Sequence, residues 1–585
     1  MKKDFFENKY KKAKELSKPL NKAYNTISTL RFIIFVIMFL SLIVAIYDDK
    51  IIYLIISLVS AVVFLGLIFR HNKVEWQYKE NEAYLNKAED YLKRFDYNFF
   101  DLEYQGLEFK EDSSFINYDL NIIGKGSIIQ FINMAKSKKA RKEQFRLFNE
   151  LDSKEEILSR QEAASELTSN KELVFMLSSL ISMSTENGED IILSDNKLLN
   201  KTQAFIYKLL SYLYPVVSFS IFILSLFKVF PLYVAAIVVI VNIILVAIMF
   251  VYNRRYLENV IAQRKSLDIF VKVLSILEKE EFKSNRLVKM SSILNQGKGA
   301  SNYLGKLVKL KQSIDSQQNI LFYFLLNVFT LIDYRNVYQY NLWKNDLIDL
   351  QEEYVSIYND IEVLLSLTTI ELVIEQTSKP ILSEDIEIKV DGLNNPLIKQ
   401  NNIIKNNFNT ENDNTFIITG SNMSGKTTFI RSIGINALLA YAGSSVCAKD
   451  LKLSLMKIYT SIRVEDDFTQ GVSTFYAELN RIKEMVDYIE YNKPMLCLVD
   501  EIFKGTNSSD RIYGASKAIE KLNNKNVIAF ITTHDSELTK LNNISNYHFE
   551  EYYENNEIRF DYTIKNGPSL SRNAKYLLKM VGILD

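Results

Sequence analysis

The chain has 585 residues, more than a single hydrophobic core organises, so several domains are expected. Its 70 basic and 70 acidic residues cancel, which excludes a protein whose net charge would name its partner. Two cysteines, Cys447 and Cys497, and three scattered histidines, His71, His534 and His548, exclude a disulfide framework and zinc-site spacing and point to a reducing compartment.

Residues 1–31 hold eight lysines plus Arg31 and read as a basic cytosolic N-terminus. Two nearly uninterrupted apolar runs follow, 32–47 and 51–69, parted by Asp48, Asp49 and Lys50. A second pair occupies 209–227 and 232–252, parted by the short turn 228–231. Runs of ~20 apolar residues match the thickness of the hydrocarbon layer, and the short turns make each pair a transmembrane hairpin, four helices in all. Arg70, His71 and Lys73 follow the first hairpin, and Arg254 and Arg255 the second. Basic flanks stay inside, so only the turns are expected outside a cell membrane, with the rest of the chain cytoplasmic. A fifth run, 320–332, is shorter and contains Asn327. Its length suits a buried core helix or an interfacial segment better than a span. The intervening segments, 70–208 and 253–379, read as helical.

The stretch TGSNMSGKTTF (419–429) carries the phosphate-binding pattern G-x-x-x-x-G-K-[ST] at Gly420, Ser421, Asn422, Met423, Ser424, Gly425, Lys426 and Thr427. A buried strand is predicted over 415–419 and a helix over 428–441, the context such a loop requires. Backbone N–H groups would curl round the phosphates of ATP, Lys426 would reach the β/γ oxygens, and Thr427 would offer a hydroxyl to Mg²⁺. Some seventy residues on, MLCLVDE (495–501) is an apolar strand ending in two carboxylates. Asp500 suits Mg²⁺, and Glu501 suits polarisation of the attacking water. A further strand, VIAFITTH (527–534), ends in His534, placed to meet the γ-phosphate or that water. With a helix over 508–522 between them, these elements imply an α/β nucleotide-binding domain with a largely parallel sheet, C-terminal to an all-α region.

Membrane helices before a cytosolic ATPase resemble an ABC half-transporter, but no LSGGQ-like segment precedes the Asp-Glu strand. At that place stands EDDFTQGVSTFYAELNRIKEM (465–485). Together with TGSNMSGKTTFIRS, DEIFKGTNSSD and TTHDSEL, it resembles the MutS family of DNA mismatch-repair ATPases, whose patterns are TGPNMGGKST, GxSTFxxEM, DEIGRGTS and ATHxxEL. GLNNPLI (392–398) and FDYTIKNGPSLSRNAKYLLKMVGI (560–583) are similar to the opening and closing segments of that ATPase domain. Upstream, GKGSIIQFIN (124–133) and LSRQEAASEL (158–167) resemble the start of the family's helical core and lever region. The likeness is strong over 380–585, looser from 110 to 380, and absent before that.

The resemblance implies a MutS-type P-loop ATPase with ATP and Mg²⁺ as cofactors. Lys426, Glu501 and His534 would be catalytic, and Thr427 and Asp500 would hold the metal. ATP would contact 420–427, Thr428 and, from the opposite subunit, Ser473 of GVSTF. That last assignment implies a homodimer closed by ATP and released by hydrolysis. Ser421 and Ser424 depart from the family's proline and glycine. DNA is the partner inherited from the resemblance, yet no room exists for the mismatch-recognition domain. The Phe5-Phe6-Glu7 match to that domain's Phe-x-Glu wedge lies within 30 residues of the first span. AKSKKARKEQFR (135–146) is a basic stretch that suits a solvated helix face, anionic lipid headgroups or nucleic-acid phosphates. Two further expectations stay open beside a DNA clamp: an ABC-like transporter or flippase, and an ATP-switched membrane scaffold for a protein partner.

Overall fold

The structure is a computed structural model. It describes the chain except for Met1, Asp49, 185–189, 191–198, 254–255, 257–263, 316–326, Ile348, 411–412, 464–473, 504–507, 555–556 and 570–585. The two N-terminal helices are far longer than the apolar runs they contain. Helix α1 runs Lys2–Tyr47 and α2 runs Ile51–Phe95, packed as one antiparallel hairpin. The apolar distal half leaves its side chains exposed, as at Phe32 and Leu58. The polar proximal half packs one side of its surface against the protein, burying Phe6, Ala88 and Tyr91 among others. There Phe6 stacks on Tyr91 with ring centroids 4.1 Å apart, and Asn81 Nδ2 donates to the Ala13 carbonyl at 2.8 Å. Phe6 is therefore a core residue, and Phe5, which holds the phenylalanine position of the Phe-x-Glu pattern, is partly buried edge-on against Phe175 with centroids 6.2 Å apart, so the segment packs into the fold instead of projecting as a wedge. At the base, Lys2 Nζ donates to the carbonyls of Glu371 and Ile374, both at 2.6 Å.

Among the described residues, four helical stretches are long and apolar enough to cross a membrane: Lys2–Ala45, Ile51–Phe95, Lys201–Ser225 and Leu232–Val251. A helical bundle is organised on the helix Gln351–Val373, most of whose residues are buried. The carboxylate of Glu362, fully buried there, accepts from the backbone amides of Lys136 and Ser137 at 3.1 and 2.9 Å and from the Ser137 hydroxyl at 2.8 Å. These bonds pin the start of the basic stretch 135–146. Further along it, Arg146 is tied to Glu143, Glu150 and Asp152, and Arg141 lies 4.3 Å over the Tyr104 ring. Two of the six cations are thus engaged within the fold.

The C-terminal domain holds all the described strands: β1 (Ile381–Ser383), β2 (Ile388–Leu393), β3 (Asn406–Asn409), β4 (Thr415–Thr419), β5 (Asp450–Ser454), β6 (Lys457–Ser461), β7 (Met495–Val499), β8 (Val527–Thr532), β9 (Ser545–His548), β10 (Glu551–Glu554), β11 (Glu557–Phe560) and β12 (Lys565–Asn566). One sheet has the order β12-β9-β4-β8-β7-β6, parallel except for β12, and is the largely parallel sheet expected. A second, mixed sheet of order β1-β5-β2-β3 covers it, and β10 and β11 form a separate hairpin. The central strands β4, β7 and β8 are buried throughout, as apolar strands covered on both faces must be.

Candidate nucleotide site

The parallel strands β4, β7 and β8 end side by side, so the loops leaving their C-terminal ends converge. Such a crevice is where open α/β sheets take ligands. The first of these loops, 420–425, joins β4 to the helix Lys426–Ala442. It is threaded tightly. Gly420 has φ of 146°, and a Cβ there would meet the Phe549 carbonyl oxygen at 2.6 Å. Met423 also takes a left-handed φ of 67° and projects an exposed side chain, whereas Ser424 is buried. Lys426 is buried too, and its Nζ donates to the carbonyls of Gly420 and Ser421, each at 2.9 Å. The ammonium therefore sits inside the curl of its own loop.

The carboxylates leave β7 in a strained turn. Glu501 and Phe503 take φ of 51° and 61°, a conformation that costs a non-glycine residue of order 1–3 kcal/mol and clusters at functional sites. Asp500 Oδ2 accepts from the Thr427 hydroxyl at 2.8 Å, and its Oδ1 accepts from the Thr532 hydroxyl at 2.6 Å. Thr532 in turn accepts from the Glu501 amide at 2.9 Å. One hydroxyl at the end of β8 thus fixes the Asp500 carboxylate and the Glu501 backbone, a role with no motif to announce it. Only the pairing of β7 with β8 brings Thr532 there. His534, two residues on, presents Nε2 to Glu501 Oε1 at 3.2 Å and to Asn422 Oδ1 at 2.9 Å. Facing two oxygens, that nitrogen carries the ring's hydrogen. Ser421 donates to Glu551 at 2.8 Å, and the Thr428 carbonyl accepts from Ser432 within the helix.

The expected residues from Gly420 to Thr428, with Asp500, Glu501 and His534, therefore gather at one edge of the sheet. Ser473 and most of the GVSTF segment lie outside the described residues, as does the closing segment from 570 onward. Both flanks of 464–473 are held, however, by one residue that carries no motif. Asp119, fully buried, accepts from the amides of Ile462 and Arg463 at 3.1 and 2.8 Å and from Arg481 Nη1 at 3.0 Å.

Thr427 and Asp500 supply hard oxygens in mutual contact, which fits Mg²⁺, an ion held through one or two protein oxygens with phosphate and water completing its shell. Among the described residues no cluster of three or more His, Cys, Asp or Glu could hold a metal by itself. That is the donor set of a cation shared with a ligand rather than of an all-protein cage.

With this geometry in view, comparison with known proteins is decisive for the domain. Residues 416–582 match the family model of MutS domain V. The C-terminal domain belongs to the MutS family. The chain is similar to the DNA mismatch repair protein MutS 2 of Haloarcula marismortui, 32% identical over 175 residues, 29% of this chain and 18% of that protein. It is likewise 32% identical to the DNA mismatch repair protein MutS of Thermotoga maritima over 197 residues, 33% of this chain and 24% of that protein. For the MutS of Aquifex pyrophilus the identity is 32% over 215 residues, 35% of this chain and 25% of that protein. The chain thus spans a quarter or less of the length of these curated MutS relatives. The MutS-type domain is appended here to a helical region with membrane-length apolar helices.

Proposed function

We propose that this chain is a membrane-anchored ATPase of the MutS type, with a P-loop at 420–427. Transmembrane hairpins at 32–69 and 209–252 hold helical regions at 70–208 and 253–379 and an ATPase domain over 380–585 at the cytoplasmic face of the cell membrane. The carrying observation is the convergence where β4, β7 and β8 end of two hydrogen-bonded groups, Thr427 with Asp500 and His534 with Glu501 and Asn422, linked through Thr532. Loop amides and Lys426 bind the ATP phosphates. The Thr427 and Asp500 oxygens would hold Mg²⁺, which neutralises charge on the phosphates. Glu501, steadied by the hydrogen bond from His534, orients the water that attacks the γ-phosphate, and Asn422 fixes the imidazole. By its resemblance to the family, Ser473 completes the site of a second copy, so the working form is a homodimer closed around two nucleotides.

Duplex DNA is the partner class that the relatives' printed role in mismatch repair supports. Glu501→Gln is expected to cut hydrolysis by ~10²–10⁴-fold while leaving ATP binding intact, the range for loss of a general base. The test is ATP turnover by the full chain in nanodiscs at low salt, with homoduplex, mismatched and branched DNA as separate arms. Stimulation by DNA supports a DNA-directed motor. Robust turnover indifferent to every DNA removes DNA from the proposal, and no turnover above the Glu501→Gln level removes the ATPase.

A further inference from the structure

The fifth apolar run, 320–332, ends against the second membrane hairpin rather than in the core of the helical bundle. Residues 327–330 are helical, Leu331 breaks the helix with a left-handed φ of 47°, and a new helix runs Ile332–Asp346. The break has particular neighbours. Asn242 Nδ2 donates to the Val328 carbonyl at 2.7 Å, Phe329 packs against Phe222 with centroids 5.7 Å apart, and the Tyr334 hydroxyl donates to the Leu245 carbonyl at 2.9 Å. Asn242 is the middle residue of the apolar run 232–252. Ten residues of helix separate it from the run's cytoplasmic end, ~15 Å at 1.5 Å per residue, about half of the hydrocarbon thickness.

A break at that depth frees polar backbone groups where no water can satisfy them, at several kcal/mol each. Two of the freed groups are met by asparagine side chains. In an unbroken helix the Val328 carbonyl would accept from the amide of residue 332; here it accepts from Asn242. The Asp333 amide, which would have donated to Phe329, donates to Asn327 Oδ1 at 3.1 Å. Thus the one asparagine within the run 232–252 and the one within 320–332 serve a single purpose. Below the break, Tyr207 packs against Tyr334 and Tyr212 against Tyr338, as aromatic side chains do at a membrane–water boundary. Ile332–Asp346 then runs back beside the helix Ala300–Asp315, with the Trp343 indole donating to the Tyr303 carbonyl at 2.7 Å and the Ser313 hydroxyl to Asn336 at 2.9 Å. Both flanks of the run therefore lie on the same side.

We propose that residues 327–333 form a re-entrant helix break held at mid-bilayer depth within the second membrane hairpin, a fifth intramembrane element that enters and leaves on the cytoplasmic side. It rests on 209–252 crossing the membrane. Its exposed residue, Thr330, faces lipid acyl chains, while Asn327 and Asp333 are buried in protein. The buried position of Asp333 puts an ionisable group inside the apolar zone, a feature the apolar runs themselves lack.

The test places a fluorophore on Thr330→Cys in the full chain, reconstituted in phosphatidylcholine nanodiscs carrying nitroxide either at the headgroup or midway along the acyl chain. The native Cys447 and Cys497 are fully buried, and burial pushes both thiols up, so they stay silent to labelling. Val241→Cys on the hairpin and Leu342→Cys on the returning helix are the references, both at exposed positions. The expected result is that the label at 330 is quenched more by mid-chain than by headgroup nitroxide, in the same ratio as at 241, with the reverse ratio at 342. A label at 330 that follows 342 while 241 stays deep overturns the re-entrant element alone. A label at 241 that is itself shallow overturns the spanning hairpin. A variant-free check uses a photoreactive group at the end of a lipid acyl chain: labelling of 327–331 in the unmodified chain supports the break, and its absence beside labelled 232–252 overturns it.

Discussion

Asp119 offers a stringent test of how the helical region and the MutS-type domain are joined. Its carboxylate ends a short helix, Phe115–Asp119, and is fully buried. Oδ2 accepts from Ile462 N and Arg481 Nη1, Oδ1 accepts from Arg463 N, and the Arg481 guanidinium lies 4.0 Å over the Phe115 ring. Asp119→Ala leaves a guanidinium and two amides facing a cavity. Breaking a buried ion pair from one side costs ~3–5 kcal/mol, and each stranded amide adds ~1–3 kcal/mol, less whatever water recovers. Taking ~3 kcal/mol as the floor, local opening around 462–463 becomes ~100-fold more frequent, since each 1.4 kcal/mol is a factor of ten. Amide hydrogen exchange in full-length protein reads this directly, as ~100-fold faster exchange at Ile462 and Arg463. Arg481→Leu added to Asp119→Ala should restore part of the protection by removing the stranded charge. Because the two flanks of 464–473 lose their anchor, ATP turnover should fall while nucleotide binding by the same chain persists. Wild-type exchange at both amides in Asp119→Ala would refute the reasoning.

Other perturbations probe the site and its support. Gly420→Ala forces a Cβ to within 2.6 Å of the Phe549 carbonyl oxygen at a φ of 146°. With strain of order 1–3 kcal/mol, nucleotide affinity should fall ~10–100-fold by calorimetric titration, and an unchanged affinity would mean the loop relaxes freely. Asp152 is hydrogen-bonded by Arg146 and also by Arg160, which hold its carboxyl down at about 2, below the ordinary 3.8. A depressed carboxyl contributes stability that is complete above its unfolded value and is lost as pH falls through the folded one. Stability should therefore drop by about 2 kcal/mol between about pH 4 and about pH 2, and the drop should shrink in Asp152→Asn. Denaturant titration at a series of pH values checks it; equal slopes in both proteins would count against the assignment.

Local signals in the sequence carry what they can carry. A ~20-residue apolar run or a glycine-rich loop between strand and helix is complete within one window, so the membrane-length helices and the edge of the sheet at 415–427, 495–501 and 527–534 stand out. Thr532 does not, because its partners are brought by strand pairing rather than by spacing. Asp119 is further out of reach: its partners lie 343 to 362 residues away. The short strands β5 (DLKLS) and β6 (KIYTS) are half polar, so the second sheet and one edge of the first leave little trace. Apolar content ends at 69, yet α2 continues to Phe95 because Glu, Lys and Ala sustain a helix as well as Leu does. Hydropathy marks where a segment would leave lipid and is blind to where its helix stops.

That continuation sets a distance. With the bilayer edge at Arg70, the polar part of α2 spans 26 residues (70 to 95), ~39 Å of helix. Its far end adjoins the MutS-type domain, where Tyr97 bonds the Leu397 carbonyl and Lys2 grips the carbonyls before β1. The potential of anionic headgroups decays over ~8 Å in physiological salt. On the proposed anchoring, the end of α2 at the MutS-type domain stands about five such lengths from the lipid, beyond the reach of headgroup charge. Under that anchoring, changes in membrane charge are screened before they reach this end of the domain, and pushing or pulling on the helices is the route by which the membrane would act on it.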